Sequence, residues 1–480
     1  MGFGPVRLGV FVSLVVAAGV HAEHESAEFK TAQAKVHYQK ALEYGEKGLW
    51  PPAILELNQA RQLEPGNPEV LTELGIAYGE RKEWKQALTF LRKAVAAAPG
   101  SVRAHYNLAL TLDRADPGKG AGTPEYRKAL KLDPRHVDSL INLAINVGEQ
   151  NPAEARPLFD RAIRLAPDNA GAHLNLALFL KREAEDSASA SEFRQTIRLS
   201  PDLLEARRQL ATLLMAQQQW DQVVEQCREI LKREPDDAST RYTLGQALIR
   251  SQKAEEGRKE LEQAQALRKR AQQQQEAQEL QSQGIRDMHS GKLSDAVKAL
   301  NSAIQLEPSS ANHMYLGLAL AASGDLKTGL RELTIATELE PNNARAHLNL
   351  GSVYVQAGQE YLAKAEFDKA LQLDPWFPEA HNNLGLILAK DQRAEDAYEH
   401  FRLAAGLNPD YLEAVFNLGL SLRAMNRLDD ALKAFRHAAE LAPENAQAQY
   451  ALGMTLKDKG DLAGAQAALD RATALERRGK

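Results

Sequence analysis

A proline that returns every 33 to 35 residues constrains this chain more than any other feature. Pro65, Pro99, Pro134, Pro167, Pro201 and Pro235 punctuate the first half, and Pro308, Pro341, Pro375, Pro409 and Pro443 the second. Proline lacks an amide hydrogen and clashes with the preceding turn, so each one closes a helix. Between two of them, Ala344 to Pro375 reads ARAHLNLGSVYVQAGQEYLAKAEFDKALQLDP. His347, Leu350, Gly351 and Tyr354 fall on one helix face, and Ala363, Phe367 and Ala370 on a face of a second helix. The small residues Gly351, Ala363 and Ala370 allow close helix approach, while Tyr354 and Phe367 fill the volume between. One such hairpin cannot bury its own apolar face, but a stack of them can.

Helix-turn-helix units at this period resemble the tetratricopeptide repeat (TPR) family, over nearly everything from Ala34 to Arg477 and about thirteen units. The resemblance implies an all-α TPR solenoid wound as a right-handed superhelix. Composition agrees with a helical chain, being rich in Ala, Leu, Glu, Gln and Arg and poor in the β-branched residues that strands favour. A net charge of −5 with mixed signs implies no basic surface large enough for nucleic acid.

Residues 1–22 read as a cleavable signal peptide. Arg7 precedes an apolar run from Leu8 to Val20, and Val20-His21-Ala22 offers small residues for a peptidase. The run is shorter than the ~20 residues a spanning helix needs. Export to the periplasm or the extracellular space is therefore expected, with no membrane insertion once the signal is removed. Cys227 is the only cysteine, so no internal disulfide forms; it stands where sister repeats carry Phe or Leu and reads as a small core residue. The sequence holds no Asn-x-Ser/Thr acceptor, which points towards a bacterial envelope.

The array divides at a glutamine-rich stretch. A first arm spans 34–269 and a second 277–477, joined by a helical junction over 270–276 within RKRAQQQQEAQELQSQ. The first repeat carries Lys40 where Leu is usual, as a water-facing cap would. In the third, Pro117-Gly118-Lys119-Gly120-Ala121-Gly122 replaces the tight turn and shortens the second helix; it lacks the spacing of a phosphate-binding loop and reads as a flexible surface loop. Ser189 replaces a packing alanine in the fifth repeat, and Gln283 and Asp287 replace apolar residues in the eighth. The last repeat ends without an added capping helix, an end through which self-association is possible.

Candidate chemistry is sparse. His37, His105, His173, His313, His347 and His381 share one place in their repeats, but equivalent residues of successive repeats stand about ten ångströms apart, too far to share a metal. They read as packing residues where many TPR units carry Trp. No metal, cofactor or catalytic set is expected, and the chain reads as a non-enzyme.

The asparagines form the candidate binding site. Asn107, Asn142, Asn175, Asn349, Asn383 and Asn417 each stand directly before the Leu-Gly or Leu-Ala pair of their repeat. Asn is a mediocre helix former, yet its amide can both donate to and accept from a peptide main chain of any sequence. The series resembles the asparagine ladder in the TPR superhelix of O-linked N-acetylglucosamine transferases, whose catalytic domain this chain lacks. That resemblance implies binding of extended polypeptide in the concave groove. Inheritance of one asparagine by repeat duplication explains the series equally well. Gln209, Thr243, Ser282 and Tyr315 interrupt it, so two tracks are expected, the better one at Asn349, Asn383 and Asn417. Such a chain acts as a scaffold or adaptor for protein or peptide segments. The alternative is a structural subunit of a cell-envelope assembly that uses its outer faces and C-terminal end.

Overall fold

The computed structural model describes residues 29–478; the signal-peptide reading lies outside them. The described residues form 25 α-helices and no strand. These pair into thirteen helix-turn-helix repeats, with one helix serving two of them. That helix, Ala254–His289, runs for 36 residues through the glutamine-rich stretch, as second helix of repeat seven and first helix of repeat eight. Nothing in it breaks a helix, and Gly284 is accepted because Leu300 packs where its side chain would be. The chain separates into two compact units that meet between Arg270 and Ala271.

Within a repeat the two helices pack antiparallel around one small-residue seam. In repeat ten, Ala344–Gln356 packs on Glu360–Leu373, with Ala363, Phe367 and Ala370 fully buried. A Cβ at Gly351 would fall 2.6 Å from Phe367 Cε1, so only glycine admits the ring. Gly385 with Phe401 and Gly419 with Phe435 repeat the arrangement. Burial of each such ring contributes about 2–3 kcal/mol.

In eleven of the thirteen repeats the turn between the helices is equally regular. Its left-handed residue is Gly48, Gly291, Gly324, Gly358 or Gly460 in some repeats and Lys82, Ala184, Gln218, Gln252, Gln392 or Asn426 in others. The next amide donates to the carbonyl five residues back, as Gln359 N does to Tyr354 O at 2.9 Å. This closes the first helix with a Schellman motif. Except in repeats seven and thirteen, each second helix stops just before its proline, and in many repeats an Asn, Ser or Asp such as Asn343, Ser101 or Asp237 caps the next first helix.

Two irregularities differ from expectation or refine it. The third repeat's second helix is indeed short, Thr123–Leu132, but the loop before it is tied down rather than loose. Gly122 N donates to Asp113 Oδ1 at 2.7 Å, and Asn146 Nδ2 donates to Asp113 Oδ2 at 2.7 Å. A Cβ on Gly122 would sit 2.3 Å from Ala109 O, so this glycine serves close helix approach. Ser189 is buried and donates to Ala177 O at 2.8 Å, which satisfies its hydroxyl inside the seam. Cys227 is buried, as a small core residue would be, and burial pushes its thiol up to about 12.

Candidate functional site

The six asparagines lie on first helices, half-buried at the edge of the packing face. They do not make the same bonds. Asn107 Nδ2 donates to Arg103 O at 2.9 Å, Asn142 Nδ2 to Asp138 O at 2.9 Å, and Asn175 Nδ2 to Gly171 O at 2.8 Å. Each of these amides turns one N–H back on its own helix, four residues away, and keeps its oxygen and second N–H for other partners; Asn142 also bonds Tyr106 of the preceding repeat.

In the second unit the series points outwards to neighbours. Asn417 Nδ2 donates to Asn382 Oδ1 at 2.9 Å, and Asn382 Nδ2 donates to Tyr411 Oη at 3.3 Å. Asn383 Nδ2 reaches Ser352 Oγ at 3.4 Å, near the limit of a hydrogen bond. Asn349 makes no hydrogen bond with the described residues. Asn383 and Asn417 thus contact the preceding repeat's first helix, so the first helices of repeats ten to twelve form one continuous layer. Asn382 was not legible as a participant. Its only signal is the Asn-Asn doublet, since sister repeats carry Leu348 and Phe416 at that place.

The surroundings differ as well. Three residues after Asn383 and Asn417, on the same face, stand Leu386 and Leu420, which are 44% and 41% exposed. Val355 and Tyr450, at other places on their first helices, are 37% and 54% exposed. The counterpart after Asn107 is Leu110, only 9% exposed, and those after Asn142 and Asn175 are half-buried Ile145 and Leu178.

Charge cross-links the first helices of the first unit. Arg103 sits between Glu69, at 3.1 Å, and Glu73, with which it makes a short contact. Arg114 pairs with Glu80 at 2.7 Å. Burial would lower the Arg103 guanidinium, but Glu73 and Glu69 outweigh it and hold the pKa above its ordinary value.

The histidines occupy helix seams, as expected, yet their rings do more than fill space. In repeats one, five, nine and ten, Nδ1 of His37, His173, His313 and His347 meets Glu56, Glu192, Glu332 and Glu366 at 2.6–2.7 Å, nineteen residues on. His105 meets Glu125 in the same way at a spacing of twenty. Nε2 of His105, His173 and His347 faces the carbonyls of Pro99, Pro167 and Pro341 at 3.1, 2.9 and 3.1 Å. The rings of His105, His173 and His347 therefore clamp second helix, first helix and inter-repeat turn together, and those of His37 and His313 clamp the two helices. Arg207 with Gln226 and Arg241 with Glu260 are variants of the clamp, while repeat two packs Leu71 against Phe90 instead. The signal for the acidic partners was the constant offset from histidine. Among the described residues no group of three or more His, Cys, Asp or Glu side chains could hold a metal ion, and no helix is long and apolar enough to cross a membrane.

No curated protein matches the sequence. Similar solved structures include YrrB, described as a TPR protein with an unusual peptide-binding site, at 28% identity and a TM-score of 0.33 over 38% of this chain and 94% of that one. PilF of Pseudomonas aeruginosa is similar at 20% identity and 0.39, over 41% and 90%. The APC/C hetero-tetramer Cut9-Hcn1 is similar at 15% and 0.35, over 93% and 94%. The tetratricopeptide repeat family matches residues 38–102, 72–137, 147–203, 208–274, 316–375, 361–411 and 416–478. With thirteen stacked helix pairs of that period and well over half its length matched, the chain belongs to the tetratricopeptide repeat family.

Proposed function

We propose that this chain is an exported, non-enzymatic scaffold that binds extended protein segments along the first-helix face of its second unit. The observation that carries this reading is the state of the second asparagine track. Asn349 makes no hydrogen bond with the described residues and Asn383 only a long one, while exposed Leu386 and Leu420 stand three residues after Asn383 and Asn417. A free amide next to apolar surface suits an extended segment, whose main chain needs donors and acceptors and whose side chains need apolar cover. Export rests on the N-terminal sequence alone; N-terminal sequencing of native protein should find the mature chain starting near Glu23.

The binding test uses peptides selected from a displayed library of short unstructured segments. Asn349→Ala with Asn383→Ala should weaken the selected peptide by about 2 kcal/mol, roughly thirtyfold, at ~1 kcal/mol per neutral hydrogen bond. Adding Asn417→Ala should bring the loss to about a hundredfold, with a further cost of about 1 kcal/mol in stability because Asn382 Oδ1 loses its donor. Unchanged affinity in the triple variant removes the track from the binding site.

A second reading, a structural subunit of an envelope assembly, draws support from Tyr361 and Leu462. They are 85% and 68% exposed near the starts of second helices, away from the asparagines. Tyr361→Ser and Leu462→Ser would impair that role and leave peptide affinity intact.

A further inference from the structure

Repeat eleven breaks the clamp rule. Where sister repeats place a glutamate opposite the histidine, this one places His400: the two Nδ1 atoms of His381 and His400 lie 2.8 Å apart, with ring centroids 5.1 Å apart. His381 Nε2 faces Pro375 O at 3.0 Å. A carbonyl only accepts, so Nε2 of His381 carries a proton. With both rings neutral, His381 Nδ1 is the acceptor and His400 Nδ1–H donates to it. One added proton goes to His400 Nε2 and leaves the bridge in place, but it makes a buried cation with no carboxylate opposite. A second proton puts two N–H groups head to head and two positive charges in contact, so the bond is lost.

The charges around the pair do not replace the missing glutamate. Asp374 and Asp368 face it from the preceding second helix and its cap, and Asp396 and Glu399 from the helix of His400. Asp368 is tied to Lys364 at 2.7 Å, Asp396 to Arg393 at 2.7 Å and Glu399 to Arg402 at 2.7 Å, while Asp374 accepts from Trp376 N at 3.0 Å. The flanking first helices carry Arg345, which lies over the Phe377 ring, on one side and Glu413 and Arg423 on the other, the last paired with Asp458.

We propose that repeat eleven is an acid-sensitive joint, closed while His381 and His400 share one bridging proton and opened when both rings become cations. Burial holds both rings below the ordinary histidine value, and for His400 the neighbouring His381 adds to this. The folded chain therefore takes up these protons at lower pH than the unfolded one. The pair's contribution is complete above about pH 6.5 and is lost as pH falls from there through the depressed values. Repeats clamped by a carboxylate keep an acceptor for the added proton, so acid should single out residues 378–407.

Amide hydrogen exchange on the intact chain, corrected for intrinsic chemistry, tests this between about pH 7.5 and about pH 5. Opening of 378–407 should rise about tenfold or more on acidification, relative to 344–373, since each unit of pKa depression is worth tenfold. His400→Glu restores the sister clamp and should abolish that excess. Equal acid response in the two repeats, or an excess that survives His400→Glu, overturns the joint. Histidine NMR titration of the unsubstituted chain reads the same claim without a variant. Both rings should titrate below the ordinary value, and either one above it is contrary to the proposal.

Discussion

In the first unit, Asn107, Asn142 and Asn175 each spend one amide hydrogen on a carbonyl of their own helix. In the second unit, Asn349, Asn383 and Asn417 do not, although they hold the same place in the same kind of repeat. Neighbours account for the difference. The first unit fastens its first helices to one another with Arg103, Glu69, Glu73, Arg114 and Glu80, and covers the leucine beside Asn107. The second has one such ion pair, Arg423 with Asp458, fastens the other first helices through the amides themselves, Asn417 to Asn382 and Asn383 to Ser352, and leaves Leu386 and Leu420 open. One residue type at one repeat position can thus be a helix decoration or a reachable donor, depending on what the adjacent repeat offers.

The sharpest way to break this comparison is to put charge on the open leucines. Leu386→Glu and Leu420→Glu should each cost about 3 kcal/mol of binding, roughly a hundredfold, because the carboxylate would be covered without a partner. Their exposure should leave the melting temperature nearly unchanged. Leu110→Glu, at the buried counterpart in the first unit, should instead lower the melting temperature and leave peptide affinity alone. Titration calorimetry and thermal melts of the three variants separate these outcomes.

Next in size is the ion-pair lock. Arg103→Ala leaves Glu69 and Glu73 facing each other in a mostly buried place and should cost about 2–3 kcal/mol of stability. Peptide affinity should not move, since the lock belongs to the first unit. Denaturant unfolding followed by helicity checks the first part and calorimetry the second.

The smallest expected effect is at a turn. Gln392 holds a left-handed backbone, φ 61°, where repeat ten has Gly358. Gln392→Gly should relieve that strain and stabilise the repeat by about 0.5–1 kcal/mol net of the extra chain entropy glycine brings. Binding along the asparagine track should be unaffected, which separates stability from affinity within one repeat.

The proline period and the Gly351–Phe367 seam were legible because both follow from sterics within a repeat, which the sequence states directly. The clamp was not legible in full. Histidine recurrence was plain, but glutamates are common on helices, and only the fold shows that the one nineteen residues on lies opposite. The loop at 117–122 looked loose from its glycines; Asp113, on the preceding helix, anchors it through Gly122, a contact no local pattern announces. The two asparagine series looked alike because their difference lies wholly in neighbouring repeats. Ser352 and Asn382 are thirty-one and thirty-five residues from the amides they accept from.

The central claim is that a bound segment lies on the second unit's first helices. Hydrogen exchange of the full, unsubstituted chain with and without a selected peptide measures this most directly. The account predicts slowed exchange in Ala344–Gln356, Pro378–Lys390 and Leu412–Ala424, with Val102–Ala115, Val137–Gly148 and Ala170–Arg182 unchanged. Protection confined to those three first-unit helices, or to second helices such as Glu360–Leu373, would contradict it.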